Sequence, residues 1–150
     1  MTEVYDDKYF MHEAIKQAQQ AYEENEVPIG CIIVCNNKII ARGYNMTEKL
    51  NDSTAHAEIL AITSAEQVLQ SKYLSDCSLY VTIEPCTMCA GAIFWTQIQK
   101  VVYGAKDPKR GASLLGNLYH ARTSVIGGIL EKTCSDLVKD FFEQKRRKKL

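Results

Sequence analysis

The 150-residue sequence lacks any apolar run approaching the roughly 20 residues needed to span a bilayer. It has only three prolines, one tryptophan and three histidines, and no stretch biased toward Pro, Gly or Ser, so nothing reads as a linker or a low-complexity arm. It has no net charge, eighteen Lys and Arg balancing eighteen Asp and Glu. The N-terminal residues Met1 to Asp7 are acidic and show no charged-then-apolar targeting pattern. These absences predict a protein of the cytoplasm with no membrane contact. What is present, 46% hydrophobic and 24% charged residues, is ordinary globular composition and excludes disorder, collagen and coiled coil. A chain of this length buries about 68–70% of its unfolded surface, enough for a core without disulfide staples. With no repeat and no internal boundary, a single domain spanning 1–150 is expected.

Charge is unevenly placed. Lys145-Arg146-Arg147-Lys148-Lys149 hold five of the positive charges, so residues 1–144 carry thirteen positive against eighteen negative, a net −5. An acidic body with a basic end, 141–150, suggests contact with a polyanion. The same run also suits the C-terminal turn of a solvated helix, where cations favour the negative end of the dipole.

The six cysteines sort by spacing. Cys31 and Cys35 lie in one β-rich run, four strand steps or about 13 Å apart, too far to share a metal or a bridge. They read as small core hydrophobes, as do Cys77 before a strand and Cys134 on a helix stripe. Cys86 and Cys89 stand apart, in Pro85-Cys86-Thr87-Met88-Cys89.

Met11, Ile15, Ala18 and Tyr22 recur at helical spacing and predict an amphipathic helix over 8–24. Strands follow over 28–35 and 38–44, joined at Asn36-Asn37 as a hairpin. A polar loop, 45–54, leads to a helix over 55–70. The remaining pattern predicts a strand over 78–83, a helix over 86–96 with Pro85 in its first turn, a strand over 100–105, a loop over 106–116, a strand over 124–130, and a C-terminal helix striped by Cys134, Leu137, Val138, Phe141 and Phe142. Strands alternating with helices after an opening hairpin imply an α/β fold, one mixed sheet with helices on its faces.

Cys86 and Cys89, one turn apart on a helix, can present two thiolates to one metal ion. Alone, such a pair reads as a redox couple or as buried thiols sooner than as a zinc site. His56, in Thr54-Ala55-His56-Ala57-Glu58, changes the count. One His and two Cys make three ligands, with no fourth well placed, since His12 falls mid-helix and His120 in a loop. Three protein ligands and an open position are the pattern of catalytic zinc, with Glu58 as the base beside the bound water. Residues two apart on a helix point apart, so this requires His56 to precede or begin the helix.

His56-Ala57-Glu58 followed by Pro85-Cys86-Thr87-Met88-Cys89 is the H-x-E…P-C-x-x-C signature of zinc nucleobase deaminases. The likeness extends through Met11-His12-Glu13-Ala14, Glu26-Val27-Pro28-Ile29-Gly30, Gly43-Tyr44-Asn45, Leu79 to Glu84, Ala90-Gly91-Ala92, Val102 to Asp107, and Phe141-Phe142 before the basic residues. Over roughly 8–147 the chain resembles the bacterial tRNA-specific adenosine deaminases. That resemblance implies a three-layer α/β/α cytidine-deaminase-like fold with a five-stranded mixed sheet, a homodimer, and hydrolytic conversion of adenosine to inosine at the wobble position of a tRNA anticodon. It implies one zinc per chain on His56, Cys86 and Cys89, with Glu58 as proton shuttle. It also implies substrate contacts at Asn45, Ala57 and Pro85, and RNA contacts at Lys106, Asp107, Lys145 and Arg146. The chain departs from the family pattern at Tyr44, where Trp is usual, and over 110–126, which is shorter and lacks the usual Asn-His pair.

Two other readings compete. One is a deaminase of free guanine, cytosine or a nucleotide. Phe94-Trp95 has some likeness to guanine deaminases, although an aromatic pair on a helix is expected to be core packing. The other is a non-catalytic, zinc-stabilised RNA-binding subunit, against which the presence of Glu58 counts.

Overall fold

A computed structural model of the chain describes residues 4–149, so Met1 to Glu3 of the acidic N-terminal segment and Leu150 of the basic end lie outside the described residues. The first helix, α1 (Asp7–Glu23), starts where Asp6 accepts the Tyr9 amide at 2.9 Å, and it buries Phe10, Met11, Ala14, Ile15, Ala18 and Ala21. Strands β1 (Gly30–Cys35) and β2 (Lys38–Tyr44) then form the expected hairpin. Asn36 and Asn37 take φ of 52° and 61°, the left-handed pair that matches the twist of a two-residue hairpin turn. A short helix α2 (Thr47–Leu50) and the longer α3 (Ala57–Leu69) precede β3 (Cys77–Ile83). The chain continues through α4 (Thr87–Thr96), β4 (Lys100–Ala105), a 3₁₀ turn at Ala112–Leu115, β5 (Ser124–Ile126) and α5 (Glu131–Lys148).

The five strands lie in the order β2-β1-β3-β4-β5. The β1 pairings are antiparallel, whereas β3–β4 and β4–β5 are parallel. The sheet separates two apolar layers. On one face Cys31, Ile33, Leu79, Val81 and Val101 pack against Ala57, Ala61, Ile62 and Ala65 of α3 and Ile93 of α4. On the other, Ile32, Val34, Tyr80 and Val102 meet Phe10, Met11, Ala14 and Ile15 of α1 and Cys134 of α5. Strict alternation along β1 feeds both layers, so a strand buried on both sides reads as the near-continuous apolar run seen in its sequence. The architecture is the expected α/β/α one.

Glycine sets how closely α3 approaches. A Cβ at Gly43 of β2 would lie 2.6 Å from the Ala57 carbonyl oxygen and 2.9 Å from the Ala61 amide nitrogen. The first turn of α3, which carries Ala57 and Glu58, therefore rests directly on the strand backbone.

Four local expectations are corrected. The polar loop after β2 contains α2, because the buried Glu26 carboxylate accepts the amides of Glu48 at 3.1 Å and Lys49 at 2.7 Å. The last strand ends at Ile126 rather than Leu130, on the exposed sheet edge before Gly127 and Gly128. Pro85 precedes the cap of α4 and so lies outside its first turn. Trp95 is 75% exposed, so the Phe94–Trp95 pair is not core packing; Phe94 is half-buried and lies against the His120 ring at 5.5 Å.

Candidate active site and metal centre

Two helix N-termini converge. His56 is the N-cap of α3, with extended φ −76° and ψ 155°, and Cys86 is the N-cap of α4, with φ −73° and ψ 175°. Neither side chain caps its own helix, so the imidazole and the thiol are both directed elsewhere. This meets the sequence condition that His56 begin the helix. Its extended backbone lets its side chain and that of Glu58, two residues on, serve one site. Asp52 shapes the approach, accepting the Thr54 amide at 2.9 Å and hydroxyl at 2.8 Å.

The His56 Nδ1 lies 3.7 Å from the Cys86 Sγ and 3.5 Å from the Cys89 Sγ, and the three ligand atoms all fall within 4.8 Å of one another. A tetrahedral zinc with bonds of roughly 2.0–2.1 Å to nitrogen and 2.3 Å to sulfur requires N···S separations of about 3.6 Å. The residues present fit the ion. Among the described residues this is the one such ligand group.

Electrostatics suit the same use. Hydrogen bonds from Cys89 and His56 hold the Cys86 thiol down to about 4, while Cys89, paired with that sulfur and buried, is raised. The N-terminal ends of α3 and α4 add positive potential that favours thiolate and other anions. Glu58 is 4% exposed, and burial pushes its carboxyl up to about 7. A buried acid poised near neutrality beside a His/Cys/Cys group has the protonation range that general acid–base chemistry requires.

Of the substrate candidates, Asn45 is buried at the end of β2, its amide on the Ile29 carbonyl at 3.1 Å, and the next residue, Met46, donates to the Ala55 carbonyl at 3.0 Å. The residue after Asn45 is thus stitched to the one preceding His56. Ala57 opens α3, and the Pro85 carbonyl accepts the Ala112 amide at 2.9 Å. Lys106 is exposed, whereas the Asp107 carboxylate accepts the amides of Lys109 and Arg110 at 3.0 Å and shapes its own turn. Lys145 has its Nζ 5.1 Å from the centre of the Phe141 ring, in a cleft shared with Glu24, Asn25, Glu26, Glu48 and Lys49. Arg146 is exposed. Tyr44, where the family usually has Trp, donates its hydroxyl to Glu24 at 2.8 Å, and the same carboxylate meets Lys49 at 3.1 Å.

Sequence reasoning missed two loop anchors. Glu84 is buried and accepts the Asp107 amide at 3.2 Å and the Ser113 amide at 3.0 Å, pinning the loop after β4 to the segment that bears Cys86. Cys86 itself forms an isolated bridge with Gly111. Glu26 plays the matching part beneath α2. Both lie inside quoted motifs, but backbone amides 22 to 29 residues away leave no periodic trace in a sequence. Tyr119, which packs on the α3–α4 side of the sheet, has the one buried side-chain polar atom without a hydrogen-bond partner among the described residues.

The family profile of the cytidine and deoxycytidylate deaminase zinc-binding region matches residues 4–105. The tRNA-specific adenosine deaminase of Bacillus subtilis is 45% identical over 149 residues, covering 95% of this chain and 92% of that protein. The chain belongs to the tRNA-specific adenosine deaminases. The enzyme of Agrobacterium fabrum is 42% identical, covering 92% of this deaminase and 95% of that one. A solved structure from a study of A-to-I editing by tRNA:A34 deaminases superposes on the deaminase with a TM-score of 0.81 at 42% identity, over 86% of this chain and 98% of that one. Guanine deaminase from Bacillus subtilis superposes with a TM-score of 0.67 at 37% identity, over 75% and 71%. Among the described residues no helix is long and apolar enough to cross a membrane.

Proposed function

We propose that this chain, acting as one deaminase domain over 1–150 in the cytoplasm, converts adenosine to inosine at the wobble position of a tRNA anticodon by hydrolysis. The observation that carries the reading is the convergence of His56 Nδ1, Cys86 Sγ and Cys89 Sγ at 3.5 and 3.7 Å, with Glu58 buried beside them. His56, Cys86 and Cys89 would hold one zinc ion per chain, which when bound would supply a water acidified from a pKa of 15.7 to about 7.

The chain's own groups do the rest. Glu58 accepts a proton from the attacking water and passes it to the ring nitrogen of adenine as the C6–O bond forms; it then takes the second proton from that C6 hydroxyl and gives it to the amino group, which leaves as ammonia as the C6 carbonyl forms. Burial keeps this carboxyl from idle exchange with solvent and near the pKa that serves both directions. The first turn of α3, which no side chain caps, presents the positive end of its dipole and favours developing negative charge nearby, while the Glu58 amide hydrogen-bonds its own carboxylate. Asn45 and Pro85 line the nucleoside's position. Lys106, on the turn that Asp107 shapes, and Lys145 and Arg146 on α5 meet RNA phosphates.

The homodimer is supported by an apolar stripe: Met88 and Trp95, seven residues apart on α4, are 37% and 75% exposed. Leu114 and Leu115, 58% and 69% exposed, follow Ala112, whose amide is tied to the segment that opens α4. A second copy of this chain covers such a face, and sedimentation at micromolar concentration should give a dimer.

The reading is tested by metal analysis and a substrate panel. The purified protein should hold about one zinc per chain, and Glu58→Ala should keep zinc and fold while losing at least about a hundredfold in turnover. The panel sets an adenosine-containing anticodon stem-loop against free adenosine, guanine, cytosine and deoxycytidylate. Preference for free guanine would favour the second reading, which draws on the 37% identity to guanine deaminase. Undiminished turnover in Glu58→Ala would remove Glu58 from the mechanism.

A further inference from the structure

Cys35 and Cys77 face each other directly across the antiparallel β1–β3 pair, at the end of the sheet away from the metal ligands. The Cys77 carbonyl accepts the Gln99 amide at 3.1 Å, so it points toward β4 and away from β1. Cys35 and Cys77 are therefore a non-hydrogen-bonded cross-strand pair, whose Cα atoms stand about 4.5 Å apart with side chains on one face. That spacing lies within the roughly 4.4–6.8 Å that a disulfide spans. The Cys35 thiol is within hydrogen-bonding reach of Cys77 and adds to the burial that raises the Cys77 thiol. No other cysteine of the sheet has such a partner. Cys31 pairs with Val81, and Cys134 packs on the opposite face against Gly104.

We propose that Cys35 and Cys77 form a reversible intramolecular disulfide by exchange with a low-molecular-weight disulfide such as oxidised glutathione. Cys35, half-buried, is the entry point, and Cys77, fully buried, is the resolving thiol. The Cys35 thiolate attacks one sulfur of the glutathione disulfide, giving a mixed disulfide and one glutathione thiolate that takes up a proton. The Cys77 sulfur, losing its proton, then attacks the Cys35 sulfur and expels the second glutathione. Two protein thiols are oxidised and one disulfide is reduced to two thiols, so electrons and atoms balance. Burial pushes the Cys77 thiol up to about 12, which makes this second step the slow one.

The link closes a loop from Cys35 to Cys77 that contains β2 and α3, and so carries His56 and Glu58, while Cys86 and Cys89 follow β3 directly. It ties the two halves of the site together at the sheet, about 20 Å of strand from the ligands. The expected consequence is a more heat-resistant enzyme with unchanged turnover.

The test treats the zinc-loaded protein, whose Cys86 and Cys89 are occupied by metal, with oxidised glutathione and locates crosslinks by tandem mass spectrometry. The expected product loses two hydrogens, carries no glutathione, and joins Cys35 to Cys77. It forms equally in Cys31→Ala, not in Cys35→Ser or Cys77→Ser, and it raises Tm by several degrees, reversed by dithiothreitol. A persistent glutathione adduct on Cys35, no loss of thiols at saturating reagent, a crosslink confined to Cys86–Cys89, or a lowered Tm would each overturn the proposal.

Discussion

Replacing Glu84 by alanine leaves two backbone amides of the loop after β4 without an acceptor. They belong to Asp107 and Ser113, 23 and 29 residues from Glu84 in sequence. Hydrogen bonds to a charged group contribute roughly 1.5–3 kcal/mol each, and the 3.2 Å contact to Asp107 belongs at the weak end. Ser113 is exposed, so water partly replaces its lost partner, and removing Glu84 also removes a buried charge that cost free energy to desolvate. The net expectation is a loss of about 2–4 kcal/mol, and about half of that for Glu84→Gln, which keeps one acceptor oxygen. Urea unfolding at constant m-value measures the total. Amide hydrogen exchange localises it, with protection falling more at Asp107 and Ser113 than at the sheet amides of Val81 and Val102. Because the Pro85 carbonyl and Cys86 are tied to the same loop, zinc affinity should fall with it. A Glu84→Ala protein within about 0.5 kcal/mol of the parent would show that the loop is held by something else.

Gly43→Ala should cost about 1–3 kcal/mol by pushing α3 off β2, and should lower turnover because that turn carries Glu58; an unchanged Tm and kcat would refute the close-packing argument. Tyr119→Phe removes a buried hydroxyl that has no partner, so thermal stability should stay level or rise, and a clear drop in Tm would show that the hydroxyl is satisfied. The double variant Lys145→Ala/Arg146→Ala should bind the anticodon stem-loop more weakly and flatten the log–log salt dependence by about 1.4, at roughly 0.7 per phosphate contact on a single strand; an unaltered slope would take α5 out of the RNA interface. Burial alone would raise the Asp7 carboxyl, but hydrogen bonds from Lys100 at 2.8 Å and Tyr80 at 2.7 Å outweigh it and hold the group below its usual value. A depressed carboxyl stabilises the fold above its unfolded pKa and loses that contribution as pH falls through the folded value. Asp7→Asn should therefore lower Tm at neutral pH by an amount that shrinks below about pH 4, and a pH-independent difference would contradict it.

Much of the fold was written in local pattern. The apolar stripe of α1, the hairpin at Asn36-Asn37 and the near-continuous apolar runs of β1 and β3 depend on neighbours within a few residues, where local pattern and turn chemistry carry the information. The ligand set was equally legible, since Cys86 and Cys89 sit one turn apart and His56 stands two residues from Glu58, and three histidines left few alternatives. Sequence alone left open whether His56 and Glu58 face one site. That depended on His56 lying in extended backbone just outside α3, a choice made by the segment that Asp52 and the Met46–Ala55 pairing position. Glu26, Glu84 and the facing of Cys35 and Cys77 were invisible for the same reason. Each joins groups more than twenty residues apart, and only strand register and loop packing bring such groups together. Trp95 was misjudged because helical spacing names a face without saying what, if anything, covers it. Residue types and short spacings therefore determined which chemistry this protein can perform. The sheet order and two converging helix ends decided where it is performed and what holds it in place, because contacts across the sheet are set by the whole chain's packing.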